Sequence, residues 1–411
     1  MAKTPAIGFV LTCVFLDALG IGLIIPVLPR LIGTLVSSSA EQTSWYGAIM
    51  VSYGLMQFLA APAIGALSDR IGRRPVLLTG ILGLGIMMLV PAFSSSLWLI
   101  LLSRIVGGTL SSNIVVAQAY IADVTHHSKR TVAFGRIGAI FGIAFIIGPA
   151  FGGLLGETDP TRPFLVAGMI CALNFLYGLL MLPESLREPA TAPFLLSRFN
   201  PFSSLRALSR EHFVCPVLIV FTFYTLSQSL MQCTWALYAE FRYGWSPRTI
   251  GISIFVLGAS ITITQGWLLP RLSAMLPPVQ LVLSGLIVGF IALAGLGLST
   301  EGTCAMPLLA IFALMGVVGP TLQSVISRTG SETTQGVRLG AISSLNSLTG
   351  ALSPVIGTPL LYFTSSSAPM DFAAGTPYLV ASLLLFVAIL VMLRQAPLAP
   401  SDATQNLHTP D

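Results

Sequence analysis

Apolar runs about twenty residues long recur along this chain from end to end, and each is long enough to cross a bilayer core as a helix. Inside lipid a chain has no water to satisfy its backbone, and a continuous helix does so internally. The runs fall at 7–30, 44–67, 75–94, 98–122, 132–156 and 163–182, then at 213–240, 248–271, 278–299, 303–326, 338–363 and 376–394. They predict an all-α membrane protein of twelve spans. Composition agrees, because 9% of residues are charged, about a third of the ~25% usual in soluble domains.

The charge that remains is placed rather than scattered. Between the second and third runs, Asp69, Arg70, Arg73 and Arg74 fall within six positions of the stretch Gly65–Arg74. That stretch reads as a tight basic turn between two spans. Residues 183–212 form a longer polar connector with Arg187, Arg198, Arg206 and Arg210. It divides the chain into a six-helix bundle at 1–182, a second at 213–394 and a tail at 395–411. If both termini are cytoplasmic, the inner segments hold Lys3, Arg70, Arg73, Arg74, Lys129, Arg130, Arg136, Arg187, Arg198, Arg206, Arg210, Arg271, Arg328, Arg338 and Arg394. The outer segments hold only Arg30, Arg162, Arg242 and Arg248, and Arg104 lies within the membrane. The bias of Lys and Arg toward the inner loops sets that orientation.

Several function classes are excluded. The net charge of +5 is spread over short loops and builds no basic face for nucleic acid. Cys13, Cys171, Cys215, Cys233 and Cys304 stand singly in apolar segments, without metal-ligand spacing. His126 and His127 share a short loop without carboxylate or cysteine ligands at useful spacing, and no nucleophile–base pair or nucleotide loop appears, so an enzyme is not expected. The first run continues past residue 25 without a small-residue cleavage site, as a retained span does.

The halves repeat. A shift of 205 residues sets Ile121 on Ile326, Gly135 on Gly340, Pro149 on Pro354 and Gly152 on Gly357. Parallel six-helix repeats imply a central cavity that opens alternately to the two sides. Asp17 lies about ten residues into span 1, near the bilayer midplane at ~1.5 Å per residue. A carboxylate there costs ~2.5–3.5 kcal/mol, so it either serves as a proton or cation site or is a structural group bonded to the Gly20 or Gly22 backbone or a neighbouring helix. Arg104, six residues from Trp98, cannot discharge and either finds an acceptor or water within the bundle or reaches the headgroups as an anchor. Asp69 would accept from the N-terminal amides of a neighbouring helix and latch the halves, with Asp123 and Arg130 as partners. Gly148-Pro149 interrupts one backbone hydrogen bond in span 5 and is expected to kink the helix, and Gly138, Gly142, Gly152 and Gly153 offer flat packing surfaces. Asn113, Gln118, Gln228, Gln232, Trp235 and Asn346 are the candidate cavity residues, and each has an equally plain reading as a helix-bridging group.

Twelve spans in two halves, with Gly65, Leu67, Asp69, Arg70, Gly72, Arg73 and Arg74 in the loop after span 2, resemble the major facilitator superfamily. Leu16–Pro29 is similar to the first helix of its drug:proton antiporters, and of the tetracycline efflux proteins in particular. Arg104 with Gly108 resembles their span-4 motif, which implies that Arg104 holds a proton-linked network poised, and Gly148-Pro149 with Gly152-Gly153 resembles their span-5 antiporter motif. The resemblance implies alternating access driven by the proton gradient, with no cofactor. It also departs at telling places. Tetracycline exporters carry acidic residues in spans 3 and 9 and a histidine in span 8, where this chain reads Gly85-Ile86-Met87, Val288-Gly289-Phe290 and Ser260-Ile261-Thr262.

The expectation is a monomeric inner-membrane exporter that exchanges protons for a drug-like small molecule. Its alternative is a proton-coupled exporter or importer of one endogenous metabolite. Lipid, protons and a small molecule are the expected partners, and nucleic acid is not.

Overall fold

The computed structural model describes residues 7–111, 113–125, 130–186, 214–328, 335–366, 368 and 371–395, and these contain no strand. Span 1 is Ile7–Ile24, followed by a short helix at Leu28–Gly33. Span 2 is Ser39–Ile71, span 3 Arg73–Phe93, and span 4 Leu97–Leu110 continued by Asn113–Val124. Span 5 is Arg130–Gly156 and span 6 Arg162–Met181. In the second half, span 7 is Val214–Tyr243, and span 8 is Pro247–Ile263 carried on through a π-helical turn to Leu269–Met275. Span 9 is Pro278–Leu298, and span 10 joins Gly302–Ala313 to Val318–Arg328 through a 3-10 turn. Span 11 is Gln335–Ser366 and span 12 Thr376–Gln395. The twelve-span fold expected from the apolar runs is therefore present. The connector from 187 onward, with its four arginines, lies outside the described residues, as does the tail from 396.

Local chemistry sets the ends. The first apolar run stops at Ile24 because Pro26 has no N–H to continue the ladder, and Val27 instead donates to the Ile24 carbonyl at 3.2 Å. Span 2 begins further out than the apolar run predicted, because Ser38 caps it by accepting from the Glu41 N–H at 3.2 Å. Its other end also runs on, so that Gly65–Ile71 is helix rather than turn. The turn is Gly72 alone, at φ 107°, a conformation that L side chains rarely adopt. Span 2 bends by 44° between Ala61 and Ala63, around Pro62.

The halves meet along two seams, span 5 on span 8 and span 2 on span 11. One buried core unites residues of both halves, from Leu23, Val27 and Ile32 to Phe221, Tyr238 and Leu361. A second core, with Val10, Val14, Val76, Tyr120 and Ile121, draws only on the first half and lies nearer the face that carries the N-terminus. Hydrogen bonds across the halves fall on the opposite face. Gln42 Nε2 donates to Glu240 at 3.4 Å, Tyr46 Oη to the Cys233 carbonyl at 2.9 Å, and the Arg248 N–H to Glu157 at 3.2 Å. The bundle is thus pinned shut on the face away from the N-terminus.

Candidate functional site

A cavity of about 380 Å³ lies between the halves. Spans 1 to 5 supply most of its wall, which is apolar: Ile21, Ile24, Ile49, Leu77, Ile81, Leu84, Phe141 and Phe145. The second half adds Ser229, Gln232, Cys233, Gly350, Ser353 and Pro354. The charged residues on the wall are Asp17 and Arg104.

Asp17 is held by two amides from other spans. Asn113 Nδ2 donates to Oδ2 at 3.1 Å, and Asn174 Nδ2 donates to Oδ1 at 3.2 Å while also reaching the Cys13 carbonyl at 3.0 Å. A carboxylate in a low-dielectric site needs such donors. The Gly20 and Gly22 backbone plays no part in this, and Gly22 instead meets Gly148 and Pro149 of span 5. Asn174 went unnoticed in the sequence because a lone amide in an apolar run carries no pattern.

Arg104 does not reach the headgroups. It is 4% exposed, and the guanidinium lies 3.9 Å from Met88 Sδ and 5.6 Å from the Phe164 ring centroid. Trp98, 71% exposed and edge-on to Trp45, sits at the surface in its place. The anchor reading of Arg104 therefore does not hold, because its guanidinium is buried against ring and thioether inside the bundle.

The basic loop forms a different network from the one expected. Asp69 pairs with Arg73 of its own chain segment, one helical turn on. Arg73, whose side chain is 8% exposed, also binds Asp123 at 3.1 Å and donates to Ser68 Oγ at 2.6 Å. Asp123 is thus a partner of Arg73 and not of Asp69, and it accepts as well from Ser185 Oγ at 3.1 Å. The carboxylate on helix N-terminal amides is Glu184, which accepts from the Arg73 and Arg74 N–H groups at 2.9 and 3.1 Å. Asp69 cannot take that place, because it is still inside the last turn of span 2. Arg74 reaches the Leu179 carbonyl at 2.7 Å. The side chain of Arg130 lies outside the described residues. Together these contacts bind the ends of spans 2, 3, 4 and 6 into one block.

The span-5 glycines are contact surfaces. A Cβ on Gly148 would come within 2.9 Å of the Gly22 Cα, and one on Gly152 would strike the Leu23 backbone. One on Gly153 would strike the Pro247 carbonyl, and one on Gly251 the carbonyl of Pro149. Span 5 is thereby wedged between spans 1 and 8, and Pro149 stays within a continuous helix. Gly142 faces open space and is no packing glycine, while the surroundings of Gly138 lie outside the described residues.

Of the candidate cavity residues, Asn113 and Gln232 line the wall. Gln228 and Trp235 do not, and Trp235 is 2% exposed and donates to Ser253 Oγ at 2.8 Å. At about 100° per residue they share one edge of span 7, beside the stripe of Ser229, Gln232 and Cys233 that faces the cavity. Gln118 and Asn346 are exposed, one turn past Ile114 and Gly350, beyond the lining. Spacing picked their helices but not their depth. Tyr53 and Met88 had no sequence signal at all.

The departures noted in spans 3, 8 and 9 bring no ionisable group to the cavity. A Cβ on Gly85 would press on Cys171 at 2.8 Å, one on Gly289 would strike Met315, and Ile86 is 51% exposed on the lipid-facing side. None of the nine residues lines the cavity.

Comparison with known proteins fits this architecture. The chain is 36% identical over 367 residues to the class C tetracycline resistance protein of Escherichia coli, a match covering 89% of this chain and 92% of the relative. It is 33% identical over 407 residues to the class D protein of Salmonella ordonez, covering 97% and 99%. A solved bacterial homologue of the human lysosomal transporter Spinster, inward-facing and unoccupied, shares the fold with a TM-score of 0.72, over 94% of this chain and 97% of that one at 17% identity. The family model of the Major Facilitator Superfamily matches residues 10–354. On fold, motif and kinship together, the chain belongs to the Major Facilitator Superfamily.

Proposed function

We propose that this protein exports a drug-like small molecule across the inner membrane in exchange for protons, by alternating access. The observation that carries the reading is Asp17, a carboxylate on the wall of an apolar cavity with two amide donors and no cation. Such a group has a hydrogen-bonded place for its charged form and an apolar setting that tolerates its neutral form. Proton uptake and release there change the charge of the cavity between the two openings. The termini face the cytoplasm, the working unit is the monomer, and the proton gradient is the energy source. Each positive charge moved inward contributes ~2.3 kcal/mol per 100 mV of membrane potential.

The Arg73–Asp123–Glu184 block gives the first half rigidity, so the halves rock as bodies about the span 5–8 and span 2–11 seams. Asp69 and Arg70 stand at the end of that block, where a latch to the second half would form once the cytoplasmic side closes. Tetracycline itself is not assigned, since the stretches in spans 3, 8 and 9 that depart from the resemblance carry no ionisable group and do not line the cavity. The test is the Asp17→Asn variant reconstituted in proteoliposomes with an internal pH indicator. Substrate-driven proton movement should vanish, and a normal signal from that variant would sink the assignment.

A further inference from the structure

Arg104 is a buried cation without an anion. Among the described residues the ion pairs are Arg73 with Asp69, Arg73 with Asp123 and Arg162 with Asp159, and none involves Arg104. Its terminal nitrogens face the Met88 sulfur, its plane faces Phe164, and its Nε has no hydrogen-bond partner. A thioether is a weak acceptor and a phenyl ring a diffuse one, so neither neutralises a guanidinium. Arginine does not escape by losing its proton. Asp17, the other charge on the wall, already has Asn113 and Asn174 as donors.

One further polar atom on the same wall, Tyr53 Oη, is buried without a hydrogen-bond partner, while Asn113 Oδ1 is turned onto Gly80 of span 3. A cation and a hydroxyl therefore border a space that is otherwise mostly apolar. A buried polar group left unpaired is destabilising, and a ligand that satisfies it is favoured over one that does not. A small inorganic anion would satisfy Arg104 but leave the apolar walls of spans 1 and 3 without contact.

We propose that the substrate is an amphipathic organic anion, whose carboxylate or enolate oxygen docks on Arg104 beside the Tyr53 hydroxyl. Its apolar body lies against Ile21, Ile81 and Leu84. This deepens the transport reading without depending on proton coupling.

The test uses matched probes on the purified full-length protein: 2-naphthoate, 2-anthracenecarboxylate and 1-pyrenebutyrate, each against its neutral carboxamide, by thermal stabilisation and isothermal titration. A charge-assisted hydrogen bond predicts that the carboxylates bind about tenfold tighter or more. Arg104→Met should erase that preference, bringing each carboxylate to the affinity of its carboxamide or below, and Arg104→Lys should retain part of it. Equal affinity within each pair, no binding of any carboxylate, or a preference that survives Arg104→Met would overturn the proposal. The wild-type comparison stands without either variant, so a misfolded mutant does not shield the idea. If the preference holds and the proteoliposomes show no proton movement, the antiport reading fails and this one remains.

Discussion

The two halves share a fold and differ in chemistry. The residues 205 positions after Asp17, Arg104 and Asn113 are Thr222, Leu309 and Val318. Leu309 and Val318 are fully buried core residues, and Thr222 returns its hydroxyl to the Leu218 carbonyl at 2.7 Å. The geometry of the repeat is kept even where the chemistry is lost, since the break in span 4 at Ser111 recurs as the 3-10 turn Leu314–Val317 in span 10. The first half thus carries the charges of the cavity, while the second closes it with neutral hydroxyl, amide and thiol groups. Duplication supplied two matching rigid bodies, and only one of them needed ionisable groups.

The sharpest way to break this comparison is to substitute equivalent positions. Asp17→Asn should abolish proton-coupled transport in reconstituted vesicles, whereas Thr222→Ala should leave the initial rate within about twofold, as expected of a residue whose hydroxyl bonds only its own helix. Comparable losses from both would mean that coupling is shared between the halves.

Packing offers the next largest contrast. Gly152 in span 5 faces the Leu23 backbone, while its repeat Gly357 in span 11 faces the side chains of Thr234, Leu230 and Cys233. Side chains can turn aside and backbone cannot. Gly152→Ala should therefore destabilise the detergent-purified protein by about 1–3 kcal/mol, read as a lowered unfolding temperature, and Gly357→Ala by less. Gly142→Ala, in open space, is the control and should change stability by no more than about 0.5 kcal/mol. If Gly357→Ala costs as much as Gly152→Ala, the two seams are equally rigid.

These residues also show what the sequence made legible. The spans and their order follow from run length, because lipid thickness fixes helix length. The span-5 glycines were readable because close backbone approach admits nothing larger. Rotation about a helix axis was not readable on span 7, whose neutral polar residues are distributed around much of its circumference. Partners such as Asn174, Met88 and Glu184 come from distant parts of the chain, and only tertiary packing brings them to Asp17, Arg104 and Arg73. The loop motif was recognised correctly as a charged junction, yet its capping carboxylate proved to be Glu184, 110 or more residues away in sequence.

On the cavity wall, Gln232→Ala and Ser353→Ala test the neutral half. Each removes at most one neutral hydrogen bond to substrate, worth about 1 kcal/mol, or roughly a fivefold rise in the half-saturating concentration. The proton-to-substrate ratio should not change. A changed ratio in either variant would move part of the coupling into the second half.

The smallest contrast lies at the starts of spans 3 and 9. Span 3 opens with Arg73 and Arg74, whose N–H groups donate to Glu184 at 2.9 and 3.1 Å. At the same place in the repeat, span 9 opens with Pro277 as its cap and Pro278 as its first helical residue. A proline there has no N–H to satisfy and arrives with helical φ already set. The first half therefore depends on a distant carboxylate for what the second builds into its own backbone. Glu184→Gln keeps an acceptor oxygen but removes the charge that complements the helix N-terminus, a loss of about 0.3–1 kcal/mol for an exposed group. Hydrogen exchange at the Arg73 and Arg74 amides should accelerate by about twofold to fivefold, while amides at the start of span 9 stay as slow as before. Because Glu184 also ties the end of span 6 to span 3, faster exchange there should be accompanied by a softer Arg73–Asp123 block. Unchanged exchange would show that Arg73, through Asp69, Asp123 and Ser68, holds the junction without its cap.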